Sequence, residues 1–136
     1  MKKKLSALLL MFMALFTILG FTVNAVEPRY TYTTSATSTI TNSSSNSSKV
    51  YCTATLKGNS TITKIEATQY LEKKNGTTWS TVNGCVWSNS SNRNSLTMSN
   101  SKSNLSSGTY RVRTVFKVYS GNNYETVEKV SSEATV

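Results

Sequence analysis

The chain has 136 residues, room for one domain and little more, and carries 15 Lys or Arg against 6 acidic residues, for a formal charge of +9. It contains no His, and all six acids are Glu. A Ser-His-Asp triad, a His-based metal site and a paired Asp dyad are therefore excluded.

Residues 1–25 read as a secretory signal peptide. Lys2, Lys3 and Lys4 form a positive start, Leu5 to Val23 is mostly apolar, and Val23-Asn24-Ala25 offers a cleavage site after Ala25. The alternative is an uncleaved anchor, since about 19 apolar residues can span a bilayer, but no basic stop-transfer flank follows. Cleavage predicts a secreted chain with no remaining membrane span, 111 residues long and charged +6. Ser, Thr and Asn then supply 52 of the 111 residues, and Leu, Ile, Val and Phe only 18. So lean an apolar content argues towards disorder. Seven Tyr and two Trp, all in the mature part, argue back towards a fold, because each buries a large area and keeps a polar tip.

In chain order, residues 26–34 read as an extended N-terminal segment and 35–136 as one all-β domain. Residues 35–41 form a weak first strand, and 49–57 alternate cleanly, with Val50, Cys52, Ala54 and Leu56 on one side. Residues 62–73 place Ile65, Ala67, Gln69 and Leu71 on the core face, with Glu66, Thr68, Tyr70 and Glu72 outward. Asn75-Gly76 predicts a hairpin turn into 77–82; a short segment at 85–87 extends that edge, and 95–99 follow. Residues 109–119 are the strongest strand, with Tyr110, Val112, Thr114, Phe116 and Val118 inward and Arg111, Arg113, Val115, Lys117 and Tyr119 outward. Residues 124–131 return. Pairing Tyr119 with Tyr124 sets Phe116 opposite Val127 and Val115 opposite Glu128; a slip of one residue would turn Glu128 onto the core face. Seven or eight such strands predict a single antiparallel immunoglobulin-like β-sandwich.

The block Gly108-Thr109-Tyr110-Arg111-Val112 resembles the start of the sixth strand of immunoglobulin-like and fibronectin-type-III-like domains. The resemblance implies that Tyr110 anchors a structural corner by bonding to backbone. Cys85 is on the wrong segment for the disulfide of antibody-type domains, and Gln69 or Leu71 stands where their third-strand Trp would be, so the likeness is one of architecture. The mature chain also resembles small exported proteins of Clostridia-like bacteria that form a family without assigned function. The shared blocks are Pro28, Arg29, Tyr30 and Tyr32, then Lys49 to Ala54, Thr63 to Trp79, and Ser107 to Thr126. This resemblance implies no activity.

Four features bear on function. Cys52 and Cys85 are a candidate disulfide, expected from export and an even count; closing that loop would add about 3–4 kcal/mol. The alternative is two buried free thiols. Arg111, Arg113 and Lys117 share a strand face, either as an anion-binding stripe or as a solvated face whose charges deter aggregation. Trp79 and Trp87 are candidates for a sugar-stacking platform, or for closing the core. Glu66 and Glu72 lie about 20 Å apart along one strand, too far for a glycosidase pair. These features predict a secreted, non-enzymatic interaction or surface-associated module with no cofactor, no metal and no nucleic-acid partner. Its expected partner is a cell-envelope polymer, a glycan or a protein. The alternatives are a carbohydrate-binding module and a secreted antagonistic protein of the bacteriocin type.

Overall fold

A computed structural model describes residues 28–136; the leader read over 1–25 lies outside them. Eight strands follow one another: β1 (Thr33–Asn42), β2 (Val50–Gly58), β3 (Lys64–Asn75), β4 (Thr78–Ser91), β5 (Ser95–Lys102), β6 (Thr109–Ser120), β7 (Asn123–Val130) and β8 (Ala134–Thr135). They form two antiparallel sheets. One has the order β1-β2-β5, the other β4-β3-β6-β7, and β8 pairs with β6 just beyond β7. This is the strand order of an immunoglobulin-like sandwich.

Two-residue periodicity drives the stacking. Val50, Cys52, Ala54 and Leu56 of β2 are all buried, as are Ile65, Ala67, Gln69 and Leu71 of β3 and the five inward residues of β6. The β6–β7 register pairs Tyr119 with Tyr124, Phe116 with Val127 and Val115 with Glu128. The turn into β4 differs by one residue from the expected Asn75-Gly76 pair. Asn75 still pairs with Thr78, and the two-residue loop is Gly76-Thr77, with Gly76 at φ 62° in its first position, the pattern of a type II′ turn.

The segments expected at 77–82 and 85–87 are one strand interrupted by a bulge. Glu72 pairs with Thr81 and Tyr70 with Val86, so Val82 to Cys85 stand opposite Leu71 alone. Gly84, at φ 72°, supplies the left-handed conformation that other residues adopt only at a cost. The extra residues shift the phase of β4. Trp79 and Thr81 lie on the outer sheet face, whereas Cys85 and Trp87 turn inward.

The N-terminal boundary is also earlier than expected. β1 starts at Thr33, and Tyr30 and Tyr32 already pack against the core. The Glu125 carboxylate on β7 accepts hydrogen bonds from the backbone N–H groups of Thr31, Tyr32 and Thr33 at 2.7, 3.1 and 2.8 Å.

The interior consists of two apolar clusters. The first gathers Leu56, Ile65, Phe116, Val118 and Val127; the second gathers Val50, Leu71, Tyr110, Val112 and both cysteines. Between them runs a polar belt. Gln69 and Thr114 are cross-strand partners, fully buried. Across the sandwich, Asn100 Nδ2 donates to Gln69 Oε1 at 2.8 Å, and Ser38 shares a hydroxyl hydrogen bond with Thr114 at 3.1 Å. These bonds between the sheets offset part of the cost of burying the polar groups; Gln69 Nε2 is left without a partner among the described residues. At the second cluster's edge, the Tyr110 hydroxyl donates to the Ser106 carbonyl at 2.6 Å, the hydrogen-bond pattern of a tyrosine corner.

The expected disulfide is absent. Cys52 and Cys85 are free, buried thiols in the same cluster but on facing sheets. The Cys85 thiol is turned along its own strand and donates weakly to the Asn83 carbonyl at 3.7 Å. Burial, reinforced by Cys85 nearby, pushes the Cys52 thiol up to about 12. Both behave as small apolar residues, with no thiolate to react.

Candidate contact face

The outer face of the β4-β3-β6-β7 sheet collects every second residue of four strands. β6 contributes Arg111, Arg113, Val115, Lys117 and Tyr119; β3 contributes Glu66, Tyr70 and Glu72; β4 contributes Trp79 and Val86; β7 contributes Tyr124 and Glu128. The register sets cations against acids and rings. Glu72 pairs with Arg111 and Tyr70 with Arg113 across β3–β6, while Trp79 pairs with Lys74 across β3–β4.

Glu72 is the hub. Expected to face solvent, it points to the outer face yet is only 5% exposed, because two guanidinium groups cover it. Arg111 Nε donates to its Oε2 at 2.7 Å and Arg113 Nε to its Oε1 at 2.8 Å. Arg113 also reaches Glu128 at 3.5 Å. Each guanidinium then lies over a ring: Arg111 is 4.2 Å from the centre of Trp79, and Arg113 is 4.2 Å from that of Tyr70. Such cation–π contacts contribute roughly 0.5–2 kcal/mol each. Burial alone would raise the Glu72 carboxyl, but the hydrogen bonds and charges of Arg113 and Arg111 outweigh it and hold the group below its ordinary value. Glu72 in turn raises Arg113.

The other end of the face is aromatic. Tyr119 and Tyr124 meet with ring centres 5.9 Å apart and tilted by 47°, within the range favoured by aromatic pairs. Lys117 Nζ lies 4.2 Å from Tyr124 and 5.2 Å from Tyr119. The Tyr119 hydroxyl donates to Glu66 at 2.9 Å, and Glu66 pairs with Lys64. Among the described residues Lys117 makes no ion pair. Large exposed apolar groups also lie on this face: Tyr124 at 58% at this end, and Val86 at 51% and Val130 at 43% in the row of Tyr70 and Arg113.

The sequence candidates are thus brought together in part. Arg111, Arg113 and Lys117 do share a face, but Arg111 and Arg113 are neutralised by Glu72 and Glu128 and cannot act as a bare anion-binding stripe. Trp79 joins them under Arg111. Trp87 does not, because the β4 bulge turns it to the other side, where it packs against both core clusters. The two tryptophans form no common platform. Tyr70, Tyr119 and Tyr124 are the members that sequence reasoning did not single out, and Glu72 is weighed there only as a catalytic carboxylate. The Tyr119–Tyr124 pairing was the available signal for two of them.

No family model, no curated protein and no solved structure matches this chain. What the face can do is therefore argued from its chemistry alone. Among the described residues no three of His, Cys, Asp and Glu converge to hold a metal ion. The face offers rigid rings, oriented cations and exposed apolar groups, which suit contact with another surface. The opposite outer face, on β1-β2-β5, is different. Its rows are small hydroxyl residues in register, Thr37–Thr55–Thr97 and Thr39–Thr53–Ser99, and the large apolar group exposed there is Tyr51.

Proposed function

We propose that this chain is an exported, non-enzymatic contact module that holds a partner on a cell envelope through the outer face of β4-β3-β6-β7. One observation carries the reading: Glu72 holds Arg111 and Arg113 over the rings of Trp79 and Tyr70. Pre-ordered side chains lose little entropy on binding. Tyr, Trp and Arg are also the residues that dominate binding energy at protein interfaces, so the favoured partner is a protein. The leader read over 1–25 supports export. Near-neutral pairing over most of the face leaves Lys117 as the charge that senses salt.

The test is sedimentation of the purified mature chain with intact bacterial cells, with and without protease treatment of those cells. The double variant Lys117→Ala/Tyr124→Ala leaves the Glu72 hub intact. It should retain the melting temperature and lose cell binding by about tenfold or more, the scale of one or two interface anchors. Protease treatment should abolish binding by the unaltered chain. Binding that survives protease points to an envelope polymer, and a double variant that binds as well as the parent removes the face from consideration.

A further inference from the structure

A second site borders this face at Val86, where, among the described residues, the sandwich is open along one side. β4 is the edge of one sheet and β5 the edge of the other, and a cleft of about 340 Å³ runs between them. This is at the small end of ligand pockets, about 300–1,000 Å³. Trp87, Asn89, Met98, Ser99 and Asn100 line it, and none of its lining residues is charged. We infer that this cleft binds one or two rings of a neutral sugar chain, with Trp87 taking the apolar face of the sugar and Asn89 and Asn100 its hydroxyls.

Three observations converge. The first is the lining itself. Amides and hydroxyls both donate and accept, which is what sugar hydroxyls require, and a half-buried indole beside them supplies apolar contact. The second is the strand edges. Among the described residues neither β4 nor β5 has a neighbouring strand on this side, so both present backbone N–H and C=O groups that a polar ligand can use. The third is Gln69, which stands directly behind the cleft. It is the cross-strand partner of Trp87, is fully buried, and accepts from Asn100 through Oε1 at 2.8 Å. Its Nε2 has no hydrogen-bond partner among the described residues. A buried amide with an unused donor is seldom tolerated without a reason. Here it orients Asn100 at the cleft wall and keeps donor capacity in reserve beside it. A charged glycan would meet no counter-charge in the lining, which is why the ligand is assigned as neutral.

The experiment is NMR titration of the mature chain with four neutral probes: the tetramers of N-acetylglucosamine, glucose (β1-4), mannose and xylose. At least one probe at about 10 mM, above the dissociation constants of weak sugar contacts, should shift the Trp87 indole and the Asn89 and Asn100 side-chain amides. The Trp79 indole should stay unmoved. Trp87→Ala should weaken that probe about tenfold or more. Because Trp87 also packs on the core, Asn89→Ala, at an exposed position, provides an independent variant, expected to cost about threefold, the scale of one neutral hydrogen bond. The outer-face variant Lys117→Ala/Tyr124→Ala should bind the sugar unchanged, which separates this site from the proposed contact face. Shifts confined to Trp79 and its neighbours, no shift with any of the four probes, or retained affinity in both cleft variants would overturn the assignment.

Discussion

Glu72 accepts two charge-assisted hydrogen bonds beneath the guanidinium groups of Arg111 and Arg113, and its removal would leave both cations without their acceptor. Glu72→Ala should lose about 2 kcal/mol in urea denaturation, the scale of hydrogen bonds to charged groups, and should free Arg111 and Arg113 to move. The same pairing sets an acid dependence. Glu72 and Glu125 both titrate below the ordinary carboxyl value of 4.5 in the folded chain. The unfolded chain therefore binds more protons in the window below 4.5, and folding stability falls as pH drops through it. Melting temperature should be level near neutrality and decline from about pH 4.5 downward, with a shallower decline in Glu72→Gln. The cysteines give a second check at this scale. Titration with a thiol reagent should find no reactive group in the native chain and two after denaturation; none after denaturation would mean a bridge. Tyr110→Phe, which removes only the hydroxyl that holds the Ser106 carbonyl, should cost about 1 kcal/mol.

Strands β2, β3, β6 and β7 are legible in the sequence because each alternates apolar with polar residues and because a slipped β6–β7 register would bury Glu128. β4 is not, and the reason is local. The residues at its bulge, Val82 to Cys85, break the two-residue phase, so Trp79 and Trp87, both odd-numbered, look like neighbours on one face and end on opposite sides. β1 is blurred for another reason: strings of Thr and Ser carry little polarity contrast between faces. Two predictions belong to these elements. Gly84→Ala meets no neighbouring atom with its new Cβ, so its cost is backbone strain alone, about 1 kcal/mol. Glu125→Ala removes the carboxylate that gathers the N–H groups of Thr31, Tyr32 and Thr33. Those three amides should then exchange with solvent at least tenfold faster, while amides of β3 and β6 keep their protection.

For the molecule as a whole, the periodicity of individual strands implies two stacked sheets, but not which strands of distant sequence meet. β3 and β6 pair residues that lie far apart in sequence, from Lys73 with Tyr110 to Lys64 with Tyr119, and make the central pairing of the larger sheet. Reading Glu72 and Arg111 separately leaves each as a solvated charge; only their pairing reveals a covered hub. The polar belt escaped for the same reason, since Gln69 meets Asn100, and Thr114 meets Ser38, only across the two sheets. Pairing of this kind also distinguishes the two outer faces, one of small hydroxyls and one of rings and oriented cations, and the functional reading rests on that difference. It is tested most directly by hydrogen–deuterium exchange of the mature chain, free and bound to the cell-surface partner that retains it. The account predicts slowed exchange in the edge strands β4 and β7 that flank the ring-bearing face, with β1 and β5 unchanged. Protection confined to β1 and β5, with β4 and β7 exchanging as in the free chain, would contradict it.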